Sequence, residues 1–180
     1  MSGQLAGLRA RLPEDVPVLH AELHDDVEIR ARADSRPWQP VPPTGGLSPY
    51  EPHAPTDREA VFSVVDLATS VLAGEAMLWG IDTHNRGAHL GLSLLPGARG
   101  RGLGTDVVRL LCHYGFTVRG LHRLQLETLA DNTAMIRAAT AAGFTLEGTL
   151  RGSAWVHGAF ADEVIFGLPV GEWRPDDARM

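Results

Sequence analysis

"LLPGARGRGLGTDVVRLLCHYGF", residues 94–116, sets three alternating glycines (Gly100, Gly102, Gly104) and two arginines (Arg99, Arg101) between an apolar run and an amphipathic stretch. An apolar segment closing at Leu95, a break at Pro96 and a helical pattern with Val107, Leu110, Leu111 and Tyr114 on one side describe strand, loop, helix. Such a turn aims several backbone N–H groups at one point, where the helix dipole also favours negative charge. Glycine lacks the Cβ that would keep an anion off the backbone. Arginines add charge-assisted contacts. A tight, soluble turn explains the same residues, so the stretch alone leaves both readings open.

Composition narrows the anion. All sixteen basic residues are arginine, so the lysine of G-x-x-x-x-G-K-[ST] cannot be supplied. Gly100-x-Gly102-x-Gly104 is not G-x-G-x-x-G, and it lies mid-chain among hairpins. Nucleoside triphosphates and dinucleotides fit poorly. The net charge of −6 argues against nucleic acid as a partner. No apolar run approaches the length of a membrane span, and the first residues show no signal-peptide core, so neither a membrane partner nor export is expected and the location is read as cytoplasmic. Cys112 is the single cysteine, inside an apolar helical pattern, and reads as a buried thiol. No cysteine-based metal site can be assembled, and no metal is expected.

The 180 residues suit a single domain, 1–180. A short strand is expected over Leu5–Arg11, then a helical stretch with Val16, Leu19, Leu23 and Val27 on one side. Residues 35–57, from Ser35 to Asp57, hold most of the proline and form an irregular lid, binding loop or partly helical cover. "AVFSVVDLA", "GEAMLWGIDT" and "AHLGLSLL" read as strands, the last two joined by a turn at 84–87. A helix over 105–116 follows. "HRLQLETL" alternates, Leu124 and Leu126 one way, Arg123, Gln125 and Glu127 the other. A helix starting at Asp131/Asn132 stops at Gly143. Two strands around Gly158 end the pattern. The fold class is α/β, a mixed sheet with helices on its faces.

Two segments resemble a known family. "RGRGLG", preceded by "SLLP", looks like the acyl-CoA pyrophosphate loop of the GNAT N-acetyltransferase superfamily, [RQ]-x-x-G-x-[GA], met by Arg99, Gly102 and Gly104. "ETLADNTAMIRAATAAGFTLEGTLR" is similar to its N-x-x-x-I-x-x-x-x-x-x-G-F-x-x-E-G helix and strand. "GFxxEGxLR", Asp162 in the final hairpin and Glu172-Trp173 resemble the subgroup that acetylates N-termini of ribosomal proteins. The resemblance implies a sheet of about seven strands splayed in the middle, with helices on both faces, and acetyl-CoA or another acyl-CoA as co-substrate. Backbone groups of Leu92, Ser93 and Leu94 would pair with pantetheine. Arg99, Gly100, Arg101, Gly102, Leu103, Gly104 and Thr105 would cradle the pyrophosphate, and Asn132 would bond near the thioester. The partner would be an amine acceptor, a protein N-terminus or a small molecule; homodimerisation stays open.

The acid and base depart from the family's pattern. A tyrosine of many relatives falls at Ala139; a serine and a glutamate of the subgroup fall at Met135 and Ala154. His89, Ser93 and His157 remain as candidates. A weak base favours an amine that is partly neutral at neutral pH, so an α-amine (pKa about 8) is expected over a lysine-type amine (about 10.4). Asp25, Asp26, Glu28 and Asp162 are candidates for attracting a cationic acceptor, and Trp38 and Tyr50 for walling its pocket. Two alternatives stand beside a protein N-terminus: a small acceptor such as an antibiotic or amino acid, and an acyl-CoA sensor that has lost turnover.

Overall fold

A computed structural model of the chain describes residues 1–34 and 36–175; Ser35, the first residue of the proline-rich segment, lies outside them. Seven strands form one sheet in the order β1-β2-β3-β4-β5-β7-β6. They are β1 Ala6–Arg9, β2 Ala60–Asp66, β3 Val71–Asp82, β4 Gly87–Leu94, β5 Arg123–Leu129, β6 Thr145–Val156 and β7 Ala159–Pro169. Every adjacent pair is antiparallel except β4 and β5. The helices are α1 Asp15–Leu19, α2 Val27–Ala33, α3 Leu103–His113 and α4 Thr133–Ala141.

Alternation along the strands separates two faces. Val64, Ala76, Leu78, Leu90, Leu124 and Leu126 turn towards α3 and α4 and pack on Val107, Leu111, Ala138 and Ala139. Fully burying a leucine stabilises by about 2 kcal/mol, so Leu124 and Leu126 alone hold β5 firmly in this layer. Cys112 is in the same core, and burial pushes its thiol up to about 12, so it is inert, as its apolar setting foretold. The opposite face carries α1. Ser63 Oγ donates to Asp15 Oδ2 (2.7 Å), and a smaller apolar cluster of Val16, Leu19, Leu23 and Tyr50 lies there.

Several expected bounds move, each for a local reason. The first strand, Ala6–Arg9, is shorter than Leu5–Arg11: it ends at Arg9, whose side chain is held by Asp15, and Arg11 lies beyond it, paired with Glu75. The long helical stretch divides: α1 runs into a π turn at His20–His24, and Asp26, extended (ψ 99), caps a separate α2 by accepting from Ile29 N–H. Val27, expected on the buried side, is exposed. The helix expected over 105–116 starts at Leu103, so Gly104 belongs to its first turn rather than to the loop, and it passes into a π turn at Tyr114–Val118. Residues 36–57 hold no helix or strand. The segment is nonetheless anchored to the face of α1: Trp38 Nε1 donates to the His24 carbonyl (2.8 Å), His24 Nε2 to that of Gln39 (3.0 Å), and His20 Nδ1 shares a hydrogen bond with Ser48 Oγ (2.9 Å). Tyr50 is buried in the α1 cluster, so Tyr50 and Trp38 act as local packing.

Asp15 is the polar anchor of this face. Burial pushes its carboxyl up, but Arg9, the Leu12 N–H and Ser63 outweigh that and hold it down, at about 2. The stabilisation is therefore present above the unfolded-state value near 4 and is lost as pH falls through about 2. Asp15→Asn should cost about 2 kcal/mol at pH 7. In denaturant melts the gap from wild type should close between about pH 4 and pH 2; a gap that stays constant over that window would refute the assignment.

Candidate active site

β4 and β5 pair at only three positions, Gly87↔Arg123, Ala88↔Leu124 and His89↔Gln125. Beyond them each strand keeps its other neighbour: β4 stays on β3 as far as Leu94↔Gly74, and β5 stays on β7 as far as Leu129↔Glu163. The sheet therefore opens in its middle. Strand edges that part in this way leave backbone N–H and C=O groups that need partners. On β4 the opened stretch runs from Leu90 to Leu94. It includes the three residues expected to meet pantetheine, although the Leu94 carbonyl already accepts from Arg99 Nε (3.0 Å), which centres the open edge on Leu92 and Ser93.

The glycine turn adjoins the end of β4. Gly102 occupies the cap position of α3 with φ 84, a left-handed conformation that favours glycine, and no side chain caps this end. The amides of Leu103, Gly104 and Thr105 belong to a first turn without intrahelical acceptors. Arg99 is exposed beyond its one bond to Leu94. Arg101 is turned away, paired with Asp66 at the end of β2; the Ala68 N–H and Arg101 hold that carboxyl below its usual range. Asp106, in the same first turn, also faces inward, accepting from Leu5 N–H (2.7 Å) and Ala6 N–H (2.8 Å). The turn thus presents main-chain donors and the Arg99 guanidinium, with its acidic residue spent on tethering β1. Bare amides beside an open strand edge fit the diphosphate and amides of an acyl-CoA.

Asn132 caps α4: its Oδ1 accepts from Met135 N–H (3.2 Å) and its Nδ2 donates to Thr128 Oγ1 (3.0 Å). That fixes the side chain at the far rim of the opening, with one lone pair and one N–H to spare. Ala139 is fully buried in the core, Met135 packs against it, and Ala154 lies on β6 opposite Ala161, so none of the three supplies a proton-transfer group.

The candidate proton carriers separate. His89 is at the point where β4 and β5 part, on the face away from α3, its ring stacked on Trp79 (5.5 Å, 26°). Ser93 is on the same face, across from the buried Glu75. His157, with φ 45, forms the exposed β6–β7 turn, beyond the last residue of β7 that pairs with β5. Among the described residues no contact brings His157 to His89 or Ser93. Of the acidic candidates, Asp25 is 3.1 Å from His20 Nε2, Asp26 is a helix cap, Glu28 is exposed and Asp162 accepts from Gly152 N–H in the final hairpin. Trp79 and Glu127 come to His89 only in the fold; along the chain, the outward alternation of β5 is the one signal for Glu127. Among the described residues no group of three or more His, Cys, Asp or Glu is placed to hold a metal ion, and no helix is long and apolar enough to cross a membrane.

An uncharacterised N-acetyltransferase, p20, of Bacillus licheniformis is 30% identical over 107 residues, 59% of this chain; the match spans 60% of the relative's length. The spermidine N(1)-acetyltransferase of Escherichia coli K12 is 26% identical over 157 residues, covering 87% of this chain and 82% of that one. The crystal structure of spermidine N-acetyltransferase from Vibrio cholerae in complex with CoA and spermine superposes with a TM-score of 0.75 over 93% of this chain and 97% of that chain; at 21% identity the likeness is one of fold. A family model described as acetyltransferase (GNAT) domain matches residues 7–145, and with the split sheet and the glycine turn where that family requires them, the chain belongs to the GNAT acetyltransferases.

Proposed function

We propose that this chain is an acyl-CoA-dependent N-acetyltransferase that acetylates a primary amine on a small molecule, with acetyl-CoA as co-substrate and no metal. The opening between β4 and β5 beside the uncapped start of α3 carries the reading. When bound, acetyl-CoA supplies an activated thioester and a thiol leaving group. The backbone of Leu92 and Ser93 holds the pantetheine arm, with Leu94 at its outer end. The amides of Gly100 to Thr105, with Arg99, hold the diphosphate, and Asn132 contacts the arm from the opposite rim. His89 takes the proton from the acceptor's ammonium, and Ser93 lies on the acceptor's face. Arg101, committed to Asp66, shapes the loop rather than reaching the phosphates. His157 has no part in this reading.

The acceptor is read from electrostatics. Relatives named for spermidine favour a small amine. A polycation, however, needs several unclaimed carboxylates close to the opening; Glu22 and Glu28 are exposed on the π turn after α1 and on α2, but the carboxylates set deeper on this face are taken. On the α1 face Asp15 pairs with Arg9, Glu75 with Arg11, and Asp34 with Arg30 and Arg36. Burial pushes Glu75 upward, further weakening it as an anion. With no tyrosine, serine or glutamate at the family's acid–base positions, a low-pKa α-amine is the better acceptor. The same observation favours, as a second reading, the α-amine of a protein N-terminus, towards which "GFTLEGTLR" also points.

Two measurements test this. Thiol release at pH 7.5 across amines of graded pKa should give kcat/KM at least about tenfold higher for aminoacyl amides or short peptides than for spermidine or the lysine side chain; equal or faster turnover of spermidine would overturn the acceptor assignment. Gly102→Ala should weaken CoA binding about tenfold by calorimetry. Gly158→Ala, at a second left-handed glycine (φ 94) in the remote hairpin, should show a comparable stability loss with CoA affinity unchanged. An unaltered Kd in Gly102→Ala would remove the loop's assigned role.

A further inference from the structure

The outer face of β5 carries a connected row of polar side chains that ends at the opening. Arg123 is bound to Glu147 of β6 and donates from Nη2 to Gln125 Oε1 (3.4 Å); Gln125 Nε2 in turn donates to Glu127 Oε1 (2.7 Å). That same oxygen lies 3.6 Å from Nδ1 of His89 across the gap. The register explains the meeting: His89↔Gln125 is the last β4–β5 pair, and Glu127, two residues on, shares its face just where the strands separate.

Nδ1 of His89 is buried and has no hydrogen-bond partner among the described residues. Its ring cannot turn freely to find one. Trp79 stacks on it and lies across Gly91, where an added Cβ would come within 2.9 Å of the indole. A buried polar atom aimed at a carboxylate just outside hydrogen-bond range is an incomplete contact, of the kind that tightens when a substrate settles.

We propose that Glu127 is the positioning residue for His89: its carboxylate accepts from Nδ1–H, fixing the tautomer that leaves the Nε2 lone pair free for the acceptor's ammonium, and it stabilises the imidazolium once the proton has moved. Gln125 holds Glu127 in place. The proton leaves through an open pocket lined by Asp82, Asn85, His89, Arg123 and Gln125. The other charged groups around the ring are already engaged: Arg123 by Glu147, and Asp82 by the His84 and Asn85 N–H groups and Asn85 Nδ2. This inference rests on His89 as the proton acceptor, and its test separates the two.

The tautomer of the His89 imidazole is read by NMR in the free protein, in wild type, Glu127→Gln and Glu127→Asp, with His89→Gln identifying the signal. Glu127→Gln should reduce the Nδ1–H tautomer, because the carboxylate is the acceptor that holds this hydrogen on Nδ1; Glu127→Asp should restore part of it. Glu127→Gln should lower kcat/KM about tenfold or more in wild type but not on top of His89→Gln. An unmoved tautomer, or an equal loss of activity in both backgrounds, would overturn the proposal. Wild type that turns over no amine would sink the acetyltransferase reading while leaving the NMR result to be judged by itself.

Discussion

The divergence of β4 from β5 is the constraint on which the rest of this structure depends. Each strand is claimed on its other side by antiparallel partners, β3 over almost all of β4 and β7 over all of β5, so the two halves of the sheet are complete without each other. Three residue pairs join them, and beyond those pairs the sheet itself cannot satisfy the inner edges. What keeps the halves together is the layer beneath. Val107 and Leu111 of α3 and Ala138 and Ala139 of α4 share one core with Leu90 on one side of the opening and Leu126 on the other. A rigid apolar floor under an open polar seam suits a long, flexible, amide-bearing ligand.

The same division organises the charges. On the α3 side, the acidic residue of the first turn, Asp106, is buried and spent on the N–H groups of Leu5 and Ala6, which clears the helix start of competing negative charge. On the α1 side, arginines of β1, the following loop and α2 pair with the buried Asp15 and Glu75 and the half-buried Asp34. The inner part of that face is thus polar and internally paired, while Glu22 and Glu28 remain exposed at its rim. Buried pairs of this kind give little net stability, but losing one partner strands the other, which keeps the face in a single arrangement.

The positions that a residue-by-residue transfer from the family would select carry no proton-transfer group here. Ala139 is sealed in the core and Met135 packs against it, so the α4 side of the opening is chemically silent. The titratable groups collect instead at the closed end of the opening, where His89 meets Glu127 over the Trp79 ring. On the proposed reading, a base at the closed end is set back from the open stretch of β4 and favours acceptors whose amines need little help to deprotonate.

Much of this was readable along the chain. Leu124 and Leu126 against Arg123, Gln125 and Glu127 gave β5 and its two faces; Asn132 and Gly143 gave both ends of α4; the glycines after Pro96 gave the turn that opens α3. These signals are local, set by period, caps and allowed φ, and they act within a few residues. The inward turn of Asp106 and the capture of Arg101 by Asp66 depend on groups 35 to 101 positions away and left no local trace, whereas the break at Asp26 is a local cap on Ile29 N–H. So the chain itself determined the order of the main elements, the family and the glycine turn, though not every boundary. Only the tertiary structure decided which polar side chains meet, because the meeting of His89 with Glu127 follows from where β5 leaves β4, and that point is set by the partners each strand holds on its far side.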